Sequence, residues 1–167
     1  MAFRQMARKP EVFDIDWGDR FAVFPWTEDK TEEIARFLFN TGSRAFTELR
    51  ECADGTEESA RHYVARARRY VQEELQGDEI GCAASSLVYD KANRELIAAC
   101  LCCGWSVYHL EVHPSYQRQG IATRMLKHAL TVHARHGSPE FLLWRNDQSP
   151  GVWIYEKLGF VPTGEAE

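Results

Sequence analysis

The sequence contains no long apolar stretch. None of its apolar runs approaches the roughly 18 residues that a membrane-spanning helix needs. The N-terminal segment, Met1 to Pro10, carries Arg4, Arg8 and Lys9 and lacks the apolar centre of a secretory signal peptide. These absences predict a soluble, cytoplasmic protein with no membrane partner.

An excess of positive charge is also missing. The chain has 20 Lys and Arg residues against 25 Asp and Glu residues, which gives a formal net charge of −5. Because nucleic acids attract basic surfaces, this balance argues against a nucleic-acid partner. The same balance is compatible with binding a cationic amine.

The sequence lacks a set of side chains spaced as metal ligands. The three histidines of residues 128–136 do not follow the i, i+4 spacing, and the five cysteines, an odd number, have no partner set elsewhere. We therefore predict no metal. Three of the cysteines fall in the apolar run 96–103, where Cys100 and Cys102 share one face of a strand, and the cysteines are interpreted as buried, reduced thiols.

The length suits one domain. A chain of 167 residues that is 44% hydrophobic can bury a sizeable core, and a second domain is not expected. We interpret residues 1–167 as a single domain in which 1–20 form an N-terminal extension.

The stretch 107–136 reads as a strand, a short polar loop and a helix. Residues 107–112 have strand composition, and Pro114 ends the strand because proline cannot donate to a ladder. Apolar residues then recur at helical spacing from Ile121 to His133. The helix is predicted over 119–136, with Gly137 as its stop.

The loop of this unit has the composition of an anion site. The first N–H groups of a helix lack intrahelical acceptors, and the helix dipole places partial positive charge there. Gly120 and Ala122 leave the backbone accessible to a phosphate, and Arg118 adds a full charge. A glycine that only eases a tight turn is the alternative interpretation.

Two motifs carry a resemblance to a known family. Gln117-x-x-Gly120-x-Ala122, after Val112-His113-Pro114, resembles the acetyl-coenzyme A pyrophosphate loop of the GCN5-related N-acetyltransferases, the GNAT superfamily. Residues 153–160, Trp-Ile-Tyr-Glu-Lys-Leu-Gly-Phe, resemble the closing helix of that family. The motifs occur in the family's order. Upstream of Val107 the likeness is topological and implies nothing about the substrate.

Upstream of these motifs, the apolar runs 12–17 and 21–26 predict a hairpin around Gly18-Asp19-Arg20. The second run is interpreted as the first strand of the fold. The strand before it is an addition, and covering a sheet edge and building a homodimer contact are two roles open to it.

Two helices are predicted within residues 31–76, the region that in this family shapes the acceptor pocket. Thr27 or Thr31 can cap the first helix, and Thr56 starts the second. The first buries the side that carries Ile34, Phe37, Leu38 and Phe46, and the second the side that carries Tyr63, Ala67, Tyr70, Val71 and Leu75. The arginines of residues 61–69 are interpreted as a solvated face.

Three strands, 83–89, 95–103 and 107–112, predict an antiparallel meander. A further strand at 141–144 follows the helix. The connection from 107–112 through the helix to this strand is a βαβ unit, so these two strands are expected to be parallel.

The resemblance implies an α/β fold of the GNAT-like acyl-CoA N-acyltransferase type. This fold has a mixed, mostly antiparallel α+β sheet with a splayed parallel pair and flanking helices. In the family the pantetheine arm of acetyl-CoA lies between the splayed strands, which implies backbone contacts from Leu110 and Val112. The pyrophosphate contacts implied are Gln117, Arg118, Gln119, Gly120, Ala122 and Thr123.

The reaction implied is direct attack of a primary amine on acetyl-CoA, bound as a cosubstrate in a ternary complex. Tyr155 occupies the family's general-acid position, and a phenol of pKa about 10 suits a thiolate whose conjugate acid has a pKa of about 8 to 9. A packing role at the edge of the core is the alternative for Tyr155. Glu111 is the candidate base, and a surface or salt-bridged carboxylate is the alternative interpretation of it, as a cross-strand partner is for His109 and a loop residue held by Pro114 is for His113. His109 on the same strand face, His113 and a water chain are alternatives to it.

The chain departs from the family pattern in two places. Asn146 lies further ahead of Tyr155 than the family's loop asparagine, and we carry it over as a cofactor contact across a lengthened loop with Ser149 as N-cap and Pro150 at the first helical position. Only residues 161–167 follow Phe160, too few for two terminal strands. The added N-terminal strand is a candidate to take the vacant edge.

The sequence leaves the acceptor open among polyamines, antibiotics, amino acids and peptide N-termini. A non-catalytic CoA sensor or scaffold of the same fold is the alternative function.

Overall fold

The fold is known from a computed structural model that describes residues 3–41, 56–70, 77–146 and 152–166. Its strands are β1 (Phe3–Arg8), β2 (Phe21–Phe24), β3 (Ser86–Asp90), β4 (Glu95–Cys103), β5 (Ser106–Val112), β6 (Phe141–Asn146) and β7 (Val161–Ala166). Its helices are α1 (Thr31–Thr41), α2 (Glu57–Tyr70), α3 (Glu79–Ala84), α4 (Ile121–His136) and α5 (Val152–Lys157), with 3-10 turns at Glu28–Lys30 and Pro114–Tyr116.

The strands form one mixed sheet in the order β2-β3-β4-β5-β6-β1-β7. Neighbouring strands run antiparallel except β5 and β6, which run parallel. The mostly antiparallel sheet with one parallel pair and flanking helices is the predicted fold class, and the prediction is confirmed.

Alternate residues of β4 divide the core between the two faces of the sheet. Cys100 is buried in a cluster with Met125 of α4, whereas Ala99 is buried in a cluster with Leu38 of α1 and Tyr63 of α2. Because successive side chains of a strand point to opposite faces, α4 covers one face and α1 and α2 cover the other. The burial predicted for the cysteines is confirmed for Cys100 and Cys102, whereas Cys82 and Cys103 are only partly buried. These four cysteines form no disulfide among the described residues, and Cys52 lies outside them.

The predicted N-terminal hairpin is wrong. The first strand is β1, which lies between β6 and β7 and pairs with both, while β2 pairs with β3 on the other side of the sheet. Residues 12–17 form no strand, although Phe13 and Trp17 pack on the core and Phe13 N donates to Thr131 Oγ1 of α4 at 3.0 Å. Their alternation therefore reflects an extended segment lying on a helix, which local periodicity does not distinguish from a ladder.

A short helix, α3, was missed because residues 83–89 were predicted as one strand. Asp78 Oδ1 accepts a hydrogen bond from Gly81 N at 2.9 Å and so caps α3, and β3 begins only at Ser86. Small residues such as Gly81 and Ala84 are buried in α3, and such a short run gives no clear helical period.

The predicted helices of the acceptor side are present as α1 and α2. Thr56 Oγ1 accepts a hydrogen bond from Ser59 N at 3.2 Å and so caps α2, whereas Thr31 is the first residue of α1 and Thr27 makes no side-chain capping bond to its 3-10 turn. Arg68 pairs with Glu32, and both are exposed, as a solvated face requires. Phe46, Val71, Leu75, Ser149 and Pro150 lie outside the described residues.

The C-terminal end forms one strand, β7, which is the edge of the sheet beyond β1. The N-terminal strand therefore takes an inner position and not the edge. None of the helices that the structure describes is long and apolar enough to cross a lipid bilayer.

Candidate active site

The two parallel strands separate soon after they meet. The ladder of β5 and β6 contains the pair Ser106 and Leu142, and Leu142 N donates to Trp105 O at 2.8 Å. Beyond that point the described residues form no further ladder between the two strands. We call the gap between residues 107–112 and 143–146 the β5–β6 split.

Burial along the sheet agrees with this gap. Every residue of β3 is buried, whereas every residue of β5 is only partly buried although β5 is the central strand. A central strand with helices on both faces of the sheet is ordinarily among the most buried elements. The lower burial of β5 agrees with an opening on its β6 side, where the ladder does not continue past Ser106 and Leu142.

The end of β5 leads directly into the predicted anion loop, residues 117–123. Arg118 and Gly120 both have positive φ, 63° and 75°. The first intrahelical hydrogen bond of α4 runs from Arg124 N to Gly120 O at 3.1 Å. The N–H groups of Ile121, Ala122 and Thr123 therefore have no intrahelical acceptor.

Side chains of the loop hold its backbone in place. Gln117 Nε2 donates to Val112 O at 3.2 Å, and Arg124 Nη1 donates to Gln119 O at 3.0 Å. A Cβ on Gly120 would lie 3.5 Å from the Arg124 guanidinium, which is ordinary contact. The glycine is thus needed for its backbone conformation, which a β-carbon disfavours by about 1–2 kcal/mol.

Tyr155 is positioned by the way α5 ends. Gly159 has a φ of 86°, Gly159 N donates to Glu156 O at 2.9 Å, and Phe160 N donates to Tyr155 O at 3.0 Å. This pair of bonds is the Schellman motif, which explains the Leu-Gly-Phe ending of the motif. Phe160 is buried in the core and Tyr155 packs against the same cluster.

The Tyr155 hydroxyl forms no hydrogen bond within the part of the chain that the structure describes. Burial raises the pKa of Tyr155 above its ordinary value, and the nearby Cys100 thiol adds to the shift. The phenol therefore keeps its proton at neutral pH.

A residue of the N-terminal strand reaches the end of α5. Arg8 Nη1 donates to Leu158 O, one of the carbonyls left without an intrahelical donor where α5 ends, and Arg8 also pairs with Glu11 at 3.0 Å. The sequence alone gave no signal for this contact because it joins residues 150 positions apart.

Glu111 and His109 lie on the face of the sheet that α1 and α2 cover. They pair in register with Ala99 and Leu101 of β4, and His109 Nε2 lies 3.7 Å from Glu111 Oε2. Their side chains are 13% and 22% exposed. Burial lowers the pKa of His109 to about 4, so the imidazole is neutral at pH 7.

The remaining histidine candidates have structural partners. His113 Nδ1 accepts from Ser115 N at 3.1 Å and so caps the 3-10 turn before the anion loop. His133 Nδ1 lies 2.8 Å from Ser138 Oγ, and His128 Nε2 lies 3.0 Å from Ala83 O. Within the described ranges, no three His, Cys, Asp or Glu residues gather as metal ligands do.

Asn146 is the last residue of β6 and pairs in register with Phe3 of β1. It lies on the far strand of the β5–β6 split from the anion loop. Residues 147–151, which follow it, lie outside the described residues.

The sequence matches a family model described as an acetyltransferase (GNAT) domain over residues 53–162, a range that contains the anion loop and α5. A search of curated proteins finds no match.

Solved structures share the fold. A GCN5-related N-acetyltransferase from Sphaerobacter thermophilus aligns with a TM-score of 0.66 and 16% identity over 97% of this chain and 48% of that chain, so this chain spans about half of that protein. A GCN5-related N-acetyltransferase from Ralstonia eutropha JMP134 aligns with a TM-score of 0.57 and 16% identity over 87% of this chain and 95% of that chain. A predicted acetyltransferase with acetyl-CoA from Clostridium acetobutylicum aligns with a TM-score of 0.57 and 14% identity over 87% and 92% of the two chains.

Proposed function

The chain belongs to the GNAT acetyltransferase family, and we propose that it is an N-acetyltransferase that moves the acetyl group of acetyl-CoA to a primary amine. Both substrates are held together in a ternary complex, and the amine attacks the thioester directly.

The observation that carries the proposal is the β5–β6 split with the anion loop at its end. The split leaves the β6-facing N–H and C=O groups of Leu110 and the N–H group of Val112 without a ladder partner in the described residues, so these groups can pair with the amide-containing arm of acetyl-CoA. Val112 O already accepts the hydrogen bond from Gln117 Nε2. The anion loop offers unpaired N–H groups at the positive end of the α4 dipole, which suits a diphosphate. The two features are adjacent in the chain.

Each proposed binding residue has a separate task. The backbone N–H groups of the anion loop donate to the diphosphate, and the exposed Arg118 supplies a full positive charge beside them. Gln117 acts through its hydrogen bond to Val112 O, which joins the loop to the strand. We assign Asn146, the last residue of β6, to a contact with the arm from the β6 side. The members of the loop in this assignment are Gln117, Arg118, Gln119, Gly120, Ala122 and Thr123.

Acetyl-CoA supplies an acetyl group activated as a thioester. A bond forms between the amine nitrogen and the carbonyl carbon, the bond from that carbon to sulfur breaks, and the amine loses a proton while the departing sulfur gains one. Tyr155 donates the proton that the departing sulfur gains. Its raised pKa keeps it protonated at neutral pH, and proton transfer by a positioned group typically contributes a factor of 10² to 10⁴ in rate.

Glu111 takes the proton from the amine. It lies on the face of the sheet covered by α1 and α2, whereas Tyr155 packs on the opposite face. We infer that a substrate bound in the β5–β6 split contacts Glu111 from one face of the sheet and Tyr155 from the other. His109 beside Glu111 is neutral, so the imidazole places no positive charge next to this carboxylate. The acceptor accordingly approaches from the α1 and α2 side.

An acetyl-transfer assay with a panel of primary amines tests this function. CoA release should be followed by chromatography and the acetylated amine by mass, because the five cysteines of the protein would react with a thiol reagent. At least one amine is expected to be acetylated in step with CoA release. CoA binding without turnover on any amine would favour the non-catalytic CoA-binding module, and no CoA binding at all would remove both functions.

A further inference from the structure

We propose that Asp90, acting through Tyr116, is a positioning residue that holds the anion loop in the shape that binds the diphosphate of acetyl-CoA. This inference rests on the proposed function. Neither residue is placed in contact with the substrate.

Asp90 is the last residue of β3 and is 3% exposed. Its Oδ2 accepts hydrogen bonds from Tyr116 Oη at 2.7 Å and from Arg20 Nη2 at 3.2 Å, and its Oδ1 accepts from Ala92 N at 3.0 Å. The bond from Tyr116 is the main reason that the pKa of Asp90 lies below its usual range. The carboxylate is therefore ionised and committed to Tyr116 at neutral pH.

Tyr116 connects this carboxylate to the loop. It ends the 3-10 turn Pro114–Tyr116 and is followed at once by Gln117. The Arg20 guanidinium lies 5.1 Å from the centre of its ring, which adds a cation–π contact to the hydrogen bond. The start of the anion loop is thus fixed to β3, two strands away from β5 in the sheet.

The loop needs such an anchor because its conformation is unfavourable on its own. Arg118 has a φ of 63°, a region that costs a residue with a β-carbon about 1–3 kcal/mol unless its surroundings hold it. Its other anchors, the side-chain bonds of Gln117 and Arg124, join the loop to adjacent backbone. Tyr116 gives it the long-range contact, across 26 residues.

The test is to remove one hydroxyl. In Tyr116→Phe the ring and its packing stay, and the loop loses its bond to Asp90. The matched control is Tyr89→Phe. Tyr89 is the residue before Asp90 in β3, and its hydroxyl donates a hydrogen bond to the Glu33 carboxylate at 2.9 Å. The dissociation constant for CoA is measured by calorimetry. Steady-state rates are measured with acetyl-CoA and with S-acetylpantetheine, which has the thioester and arm but no diphosphate.

For Tyr116→Phe we expect about tenfold weaker CoA binding, the size of one hydrogen bond to a charged group. The kcat/KM for acetyl-CoA falls alike, while that for S-acetylpantetheine is unchanged. Tyr89→Phe binds CoA within about twofold of the wild type. Asp90→Asn weakens CoA binding, and the double variant with Tyr116→Phe shows little further loss because both changes break the same contact.

Unchanged CoA affinity in Tyr116→Phe would overturn the inference while leaving the proposed function in place. An equal loss with S-acetylpantetheine would also overturn it, since the effect would then be general and not tied to the diphosphate. A wild-type protein that does not bind CoA would remove the proposed function and the inference together.

Discussion

The two sides of the β5–β6 split are built in different ways. On one side, β5, the anion loop and α4 follow one another within residues 106–136. On the other side, β6 is flanked by β1 from the N-terminus, and α5 and β7 come from the C-terminal end. The side proposed to bind the cofactor is therefore built mainly from one continuous segment, with Tyr116 anchored to Asp90 of β3, whereas the side that carries Tyr155 is assembled from both ends of the chain.

The difference separates two kinds of dependence. The anion loop takes its shape from the conformation of its own backbone, from the start of α4 and from the hydrogen bond between Tyr116 and Asp90, so changes within the loop should affect binding. The position of Tyr155 depends on the Schellman ending of α5 and on Arg8 from β1, so changes in the distant N-terminal strand should affect turnover. Variants on each side should thus separate the two effects.

Gly120→Glu should have the largest effect, and it should act on CoA binding by the anion loop alone. The side chain is disfavoured at a φ of 75°, and its charge repels the diphosphate, so we expect CoA affinity to fall on the order of 1,000-fold. Gly137→Glu is the matched control, because Gly137 lies at the other end of α4 with a φ of 83° and nothing within 4 Å of a β-carbon. Calorimetry with CoA measures both variants. Equal affinities would show that the loop does not hold the diphosphate.

Tyr155→Phe should affect turnover alone, through the side of the β5–β6 split that carries Tyr155. Turnover is expected to fall about 100-fold, the lower range for loss of a general acid, with little change in the dissociation constant for CoA. Since the hydroxyl has no hydrogen-bond partner within the described residues, the midpoint of thermal unfolding should stay near that of the wild type. Wild-type turnover would return Tyr155 to a packing role.

Lowering the pH should lower the free energy of unfolding of the protein through His109. Its pKa is about 4 in the folded protein and about 6.5 when unfolded, so the folded state binds fewer protons and stability falls as pH drops through this window. At pH 5 the loss from this group is about 2 kcal/mol relative to pH 7.5. Urea unfolding at both pH values measures it, with His109→Gln as the variant that lacks the group. A pH dependence equal in variant and wild type would contradict the assignment.

Arg8→Ala should have the smallest effect. It best separates the effect of the N-terminal strand on turnover from any effect on CoA affinity. Loss of the bond to Leu158 O loosens the end of α5, and we expect turnover to fall about tenfold with unchanged CoA affinity. Arg4→Ala is the control on the same strand, since Arg4 is exposed. If Arg8→Ala weakened CoA binding and spared turnover, the division of tasks between the two sides would be wrong.

The same contrast explains what the sequence could predict. The strand, loop and helix of residues 107–136 were predicted because proline, glycine and helical spacing act within a few residues. β1 was missed, since its hydrophobic signal is short and Met6 is buried by long-range contacts, through pairing with β6 and β7 and packing in the core. The bond from Tyr116 to Asp90 was missed for the same reason, because neither residue carries a local pattern that points to the other.

The chemistry divides similarly. Glu111 and His109 were expected to share a strand face, and the structure places them 3.7 Å apart. Nothing in the sequence indicated that burial would hold His109 neutral, because that depends on the helices that cover β4 and β5.

A crystal structure of the protein with CoA tests directly whether the anion loop and the β5–β6 split bind the cofactor. We expect the diphosphate to lie against the backbone N–H groups of residues 117–123, the arm to run beside Leu110 and Val112, and the sulfur to end near the Tyr155 hydroxyl. CoA bound elsewhere, or an anion loop that makes no contact with the diphosphate, would contradict this expectation.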